Sequence, residues 1–273
     1  AGKGVTICKT KKQVLNISNK IFKGKFKSSR TLVLEEFLKG EEASYFLIVD
    51  KNNFKFFGSA QDHKRVGEND TGPNTGGMGA YSPAPIINKQ IENKIIKKIV
   101  KPTLSALKVK GKPYRGFLYV GLMIADNEPF LIEYNVRMGD PECQTILPRL
   151  KTDLLRIIIN STNNKLRHSK INWRKKKSMT IVLCSKGYPG NYQKKIIIKN
   201  INKIKLTKNK FIFHAGTMLV NKKLLSAGGR VLNFTHTGKN FLSMRNEILK
   251  LIKKLNWKEG FCRKDIGWKI INR

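Results

Sequence analysis

Short apolar runs separated by polar turns set the pattern along the first half of the chain. Residues 31–38 are apolar and β-branched before they end among acidic side chains, which predicts a strand running into a hinge. Residues 44–50 and 54–60 predict two further strands, joined by the turn Lys51-Asn52-Asn53. Residues 61–85 crowd Gly, Pro, Asn and Asp together and predict a long loop, of the kind that is functional or disordered in a compact domain. Ile91, Ile95, Ile96 and Ile99 recur at helical spacing, predicting an amphipathic helix interrupted near Pro102. Residues 116–124 and 129–134 predict a strand pair around Ala125-Asp126-Asn127-Glu128, and residues 142–160 a helix in spite of Pro148.

The polar, basic stretch 161–178 reads as a linker. Beyond it, residues 179–184, 211–220 and 230–234 predict short strands. Phe241, Met244, Ile248, Leu251, Ile252 and Leu255 place a helix over 240–255. There is no internal repeat. The expected fold is α+β, with a large domain over residues 1–160 and a smaller mixed α/β domain over residues 161–273.

Composition narrows the class. Hydrophobic residues make up 40% and charged residues 27%, so the chain is neither disordered nor embedded in a membrane, and no apolar run approaches bilayer thickness. Lys and Arg total 55 against 18 Asp and Glu, a net charge of +37 that ordinarily points to nucleic acid or an anionic surface. The lysines are spread along the whole chain among many Ile and Asn, the residues an AT-rich genome encodes freely. The charge is therefore read as mutational bias, with no specific nucleic acid and no membrane as partner. Against that background clustered acidic residues stand out. Cys8, Cys143, Cys184 and Cys262 fit no zinc or redox spacing and read as reduced thiols of a cytoplasmic protein.

Candidate chemistry starts at Leu131-Ile132-Glu133-Tyr134-Asn135-Val136-Arg137. Alternation on a strand puts Glu133, Asn135 and Arg137 on one side. That face is either a set of hard oxygen ligands for Mg²⁺ beside a phosphate-contacting Arg, or a solvated edge with an ion pair. Met138-Gly139-Asp140-Pro141-Glu142 follows with two more carboxylates, which either start a helix or orient a substrate amine or Arg137. Asp62-His63-Lys64-Arg65 precedes Thr71-Gly72-Pro73-Asn74-Thr75-Gly76-Gly77-Met78-Gly79. Its glycines let backbone N–H groups approach an anion closely, and Tyr81, Pro83 and Pro85 favour an ordered loop. His63 reads as a structural histidine. Glu35-Glu36-Phe37-Leu38 with Glu41-Glu42 is either a strand end facing an adenine and ribose, or the acidic tip of a hairpin. Lys3, between Gly2 and Gly4, is similar to a phosphate-covering loop, although so short a pattern also arises by chance.

Taken together these segments resemble the ATP-grasp superfamily, and within it the phosphoribosylamine–glycine ligase family. The C-terminal part carries the resemblance too, through Gly187-Tyr188-Pro189-Gly190, His214-Ala215-Gly216-Thr217, Gly228-Gly229-Arg230-Val231-Leu232 and Phe261-Cys262-Arg263-Lys264-Asp265-Ile266-Gly267-Trp268. The resemblance covers nearly the whole chain. It implies an ATP-grasp domain followed by a C-terminal domain, and a monomer that joins glycine to 5-phosphoribosylamine with ATP through glycyl phosphate. It implies Mg²⁺ or Mn²⁺ on Glu133 and Asn135, with Arg137 and Asp140 catalytic. Lys3, Glu35, Glu36, Leu38 and Glu42 are implied to bind ATP, and Asp62, Lys64, Arg65 and Asn74 the other substrates. Two departures from the superfamily pattern leave the family resemblance standing and bear on a second metal site and on the activity of these residues alone. The strand before Glu133 reads Val120-Gly121-Leu122-Met123, without the acid many ATP-grasp enzymes carry there. The family's N-terminal domain and an earlier ATP-binding lysine are expected upstream of Ala1, so these residues alone are expected to form no product and to be poorly soluble. The competing readings are another ATP-grasp carboxylate–amine ligase, a basic nucleic-acid-binding protein, and a remnant without activity.

Overall fold

The computed structural model describes residues 5–25 and 31–272, so Lys3 lies outside the described residues. Two compact units are present, Ala1–Lys39 and Gly40–Arg273. In the first, α1 (Lys11–Lys20) is capped by Thr10, whose hydroxyl accepts from the Gln13 N–H at 3.2 Å, and a π-turn Ile21–Lys25 extends it. Residues 31–39 form no strand, contrary to the pattern reading. A strand needs a ladder partner, and the described residues of this unit offer only a helix and extended chain. Val33, Leu34 and Phe37 accordingly stay largely exposed.

The second unit holds β1 (Glu41–Asp50), β2 (Phe54–Asp62), β3 (Arg65–Gly67), β4 (Thr71–Asn74), β5 (Gly79–Ser82), β6 (Arg115–Ala125), β7 (Glu128–Asn135) and β8 (Lys177–Ser185). It continues with β9 (Lys210–His214), β10 (Thr217–Val220), β11 (Lys223–Ser226), β12 (Arg230–Gly238) and β13 (Gly260–Phe261). One antiparallel sheet runs β7-β6-β1-β2-β5-β8-β12-β9, with β13 beside β8. It lies on both sides of the 160/161 boundary drawn from the sequence. The β1–β2 turn is fixed by buried Asp50, whose Oδ1 accepts from the Asn52 and Asn53 amides and whose Oδ2 accepts from Leu166 N.

Alternation divides the residues of β1 between two cores. Ala43, Tyr45, Leu47 and Val49 pack with Val120, Leu122, Ile91 and Ile95. Phe46 and Ile48 face the other way, against Phe57, Tyr119, Ile146 and Ile157. The first core is closed by α2 (Lys89–Ile95), a π-turn Ile96–Val100 and α3 (Lys101–Val109). Pro102 does not interrupt this run as its sequence suggests. It sits in the first turn of α3, where a missing N–H is tolerated.

The helix expected over 142–160 is broken in two. α4 (Glu142–Ile146) passes into a 3₁₀ turn containing Pro148, and α5 (Leu154–Thr162) restarts with Asp153 Oδ1 accepting from Arg156 N. A proline inside the first pattern is enough for that break. Residues 161–178 are not a free linker. Leu166 and Ser161 are buried, and Trp173 packs on Phe57. The apolar run 211–220 is two strands, because the turn His214-Ala215-Gly216-Thr217 redirects the chain from β9 into β10. The third core joins Ile181, Leu183, Leu232 and Phe234 to Met244, Ile248 and Leu251 of α6 (Phe241–Leu255), whose N-cap Asn240 accepts from Ser243 N. A short helix, α7 (Trp268–Ile271), ends the described chain. No helix among the described residues is long and apolar enough to cross a membrane.

Candidate active site

Ala60, Ser44, Gly121 and Glu133 are register partners in one row across β2, β1, β6 and β7. Phe46, Tyr119 and Asn135 form a second row across β1, β6 and β7. Directly paired residues project to the same face, here the face of the Phe46–Tyr119 core. Glu133 and Asn135 therefore sit side by side, and Asn135 Nδ2 donates to Glu133 Oε1 at 3.1 Å. Gly121 makes room for them, since a Cβ there would stand 3.0 Å from Glu133 Cγ and from Tyr119 Cε1. Among the described residues no three His, Cys, Asp or Glu side chains gather as a metal cage. A carboxylate beside an amide group has the donor chemistry that would suit a hard cation.

Around these rows lies a cluster of charge. Lys64 Nζ pairs with the Glu42 carboxylate. Burial raises the Asp62 carboxyl; Lys64 opposes that rise, while Glu42 and Glu133 add to it. Burial acts against the Lys64 ammonium, but Asp62 and Glu42 outweigh it and hold Lys64 above its ordinary range. Glu142 opens α4 and is 5% exposed. Its Oε1 accepts from Ser44 Oγ at 3.2 Å, and Ser44 Oγ also lies 3.3 Å from Tyr119 Oη. Burial first, then Asp62, pushes the Glu142 carboxyl up to about 8.

That shift has a sign that can be tested. A carboxyl whose folded value lies above its unfolded value stabilises the fold fully below the unfolded value, and the contribution is lost as pH rises through the folded one. The protein is expected to lose stability relative to Glu142→Gln between pH 4.5 and about 8. Urea midpoints of the two proteins across that range check it, and parallel curves would refute it.

The Gly-rich stretch is not a plain loop, as its composition suggests; it carries β3, β4 and β5. Its glycines are needed for close approach. A Cβ on Gly77, at φ +114°, would stand 2.6 Å from Pro141 Cδ. Arg230 Nη1 donates to Gly76 O and to Asp140 O, both at 2.6 Å, and Arg230 Nη2 donates to Asp140 Oδ2 at 2.9 Å. Tyr188 Oη accepts from the Gly76 N–H at 2.9 Å. Lower in the stretch, buried Arg263 pairs with Asp70 Oδ1 at 2.9 Å and with Asp265 Oδ2 at 2.7 Å, and donates to Arg65 O. His63 Nε2 accepts from Gly267 N at 3.1 Å, and burial pushes the ring down to about 4, which keeps it neutral.

The structure thus brings Glu42, Asp62, Lys64, Glu133 and Asn135 into one neighbourhood. Arg137 follows β7 and is exposed, its Nη1 donating to Met138 O at 3.0 Å. Asp140 is held by Arg230 and by Gln144 Nε2. Arg65 and Asn74 are register partners in the β3–β4 ribbon, and Arg65 Nη1 donates to Gly72 O. Glu35, Glu36 and Leu38 lie in the extended part of the first unit. Sequence reasoning left Ser44, Tyr119, Tyr188, Arg230 and Arg263 out of the site. The last three fall within motifs that were visible, but their partners lie far away in sequence, where spacing carries no signal.

The ATP-grasp (A) domain model of phosphoribosylglycinamide synthetase matches residues 1–143, and the C domain model of the same family matches residues 178–269. A phosphoribosylamine–glycine ligase from Agrobacterium fabrum is 46% identical over the whole chain, and the chloroplastic one from Arabidopsis thaliana is 42% identical. The chain spans 64% of the first relative's length and 52% of the second's. The crystal structure of a phosphoribosylamine–glycine ligase from Thermotoga maritima superposes with a TM-score of 0.86 at 32% identity, covering 97% of this chain and 66% of that one. The biotin carboxylase domain of a Hydrogenobacter thermophilus 2-oxoglutarate carboxylase, solved with MgADP, shares the fold alone, with a TM-score of 0.70 at 14% identity over 92% of this chain and 54% of that one.

Proposed function

The chain belongs to the phosphoribosylglycinamide synthetase family, and from that premise we propose that it carries the ATP-using part of a ligase that joins glycine to 5-phosphoribosylamine. The glycine carboxylate attacks the γ-phosphate of ATP, giving glycyl phosphate and ADP. The amine of phosphoribosylamine then attacks the acyl carbon, phosphate leaves, and the amine proton is lost as the amide of glycinamide ribonucleotide forms. The observation that carries this reading is the contact between Glu133 and Asn135 beside the Asp62, Lys64 and Glu42 charges.

Glu133 and Asn135 fit Mg²⁺ or Mn²⁺, which when bound would neutralise the phosphates of ATP. Arg137 steadies charge on the transferring phosphoryl group. Asp62, Lys64, Arg65 and Asn74 hold glycine and the amine substrate, and Asp140 orients the amine. Lys3, Glu35, Glu36, Leu38 and Glu42 serve the nucleotide. The division into an ATP-grasp domain over 1–160 and a C-terminal domain over 161–273 belongs to this reading, supported by family matches on either side of the boundary. The four free thiols agree with a cytoplasmic setting.

The test is glycine-dependent release of ADP and glycinamide ribonucleotide by the full-length protein given ATP, Mg²⁺, glycine and freshly made phosphoribosylamine. A preference for another acid–amine pair would overturn the substrate assignment. Within that assay, Arg137→Lys is expected to lose turnover. Lysine keeps the charge but not the planar fork, and removal of one preorganised donor typically costs about 10²–10³-fold. Full turnover in Arg137→Lys would make a two-point phosphoryl contact untenable.

A further inference from the structure

We propose that Arg230 is a positioning residue for this reaction, holding the Gly76–Gly77 carbonyls and the Asp140 carboxylate as one unit so that Asp140 meets the substrate amine in a fixed place. The inference rests on the ligase reading above and adds to it a residue from the C-terminal part of the chain.

The guanidinium joins three separate parts of the sequence. Nη1 donates to Gly76 O and Asp140 O at 2.6 Å and approaches Gly77 O at 3.5 Å. Nη2 donates to Asp140 Oδ2 at 2.9 Å, and Gln144 Nε2 holds the other carboxylate oxygen at 3.0 Å. The Gly76 peptide is gripped from its other side as well, its N–H donating to Tyr188 Oη. Both grips come from the C-terminal part, through β12 and the turn after β8. The fit leaves no slack, because a Cβ on Gly76 would stand 2.9 Å from Arg230 Cζ and one on Gly77 would meet Pro141. A lysine ammonium is a single point on a flexible stem. It cannot place two nitrogens in one plane against Asp140 O, Gly76 O and Asp140 Oδ2 together.

Arg230→Lys and Arg230→Ala are the variants, studied in the full-length protein. Amide hydrogen exchange at Gly76 and Gly77, read without any substrate, is expected to accelerate in Arg230→Ala and to slow again when millimolar guanidinium is added. In the ligase assay kcat/KM for the amine is expected to fall by about 10²-fold, the scale on which a misplaced group acts, while the KM for ATP stays unchanged. A purely structural loss would instead degrade all substrates alike and would not respond to guanidinium. Unchanged exchange at Gly76 and Gly77 in a folded Arg230→Ala protein would overturn the latch whatever the reaction is. Faster exchange with unaltered kinetics for the amine would overturn the positioning role. If Arg230→Ala fails to fold, Arg230→Lys, which keeps the charge but not the planar fork, is judged by the same outcomes. Absence of ligation by the unaltered full-length protein would sink the proposed reaction instead, and the exchange arm would still judge the latch.

Discussion

Glu133→Ala is expected to abolish ligase turnover while leaving the fold intact. Glu133 supplies the carboxylate of a two-oxygen set, and no other acidic side chain stands on β6 beside it, where the sequence reads Val120-Gly121-Leu122-Met123. The loss therefore has no substitute on the neighbouring strand. The structural cost is small, because Glu133 is only half-buried and its contact with Asn135 is one hydrogen bond, worth about 0.5–1.5 kcal/mol. A second consequence is independent of turnover. Glu133 is among the charges that raise the Asp62 carboxyl, so Asp62 should titrate lower in the variant, as read by NMR. Wild-type turnover with unchanged Mg²⁺ dependence would sink the assignment.

The largest stability effect is expected at Arg263. Its side chain is 1% exposed and lies between Asp70 and Asp265, which are 29% and 15% exposed. Burial works against the charge of Arg263, but the two carboxylates outweigh it and hold the guanidinium above its ordinary range. Arg263→Met leaves Asp265 without its cation in a poorly solvated place, the Asn69 N–H still donating to it at 2.8 Å, and breaking a buried pair from one side costs about 3–5 kcal/mol. Asp70 suffers less because Lys269 Nζ remains 2.7 Å away. The pH dependence should change as well. For both carboxyls burial is opposed by hydrogen bonds to cations or amides, and the net shift is downward. Their stabilisation is present above the unfolded value and lost as pH falls through the folded one. Arg263→Met should therefore show a shallower acid loss of stability. Denaturant unfolding checks both points, and an unchanged midpoint would show the pair to be energetically idle. Adding Asp265→Leu should recover part of the loss, since the stranded charge is then gone.

The core was legible where alternation was clean. The strand pairs 44–50 with 54–60 and 116–124 with 129–134 follow from period two, and α6 follows from its helical spacing and the Asn240 cap. The extended stretch 31–39 has the same β-branched composition as those strands but no ladder partner among the described residues of its unit, and composition cannot report a partner. Around 142–162 a single apolar period spans two helices because the chain bends at Pro148 while keeping its buried face. Glu133 and Asn135 could be placed on one face from sequence because their relation is local. The contacts of Arg230 with Gly76 and of Glu142 with Ser44 could not, because they exist only after the sheet has brought distant segments together.

β5 is four residues long, yet it pairs with β2 through Gln61–Tyr81 and Asp62–Ala80, and with β8 through Gly79–Ile181 and Ala80–Thr180. It is thus the seam between the two halves of the sheet. Stretches rich in glycine usually open at little free-energy cost, well below global unfolding. Here, opening the end of that stretch would part the ladder that ties the β1–β2 hairpin to β8 and β12. The Tyr81 and Ala80 amides are accordingly expected among the slowest to exchange rather than the fastest, and residues 40–272 to melt as one cooperative body; fast exchange there, or a separate transition for either half, would refute this.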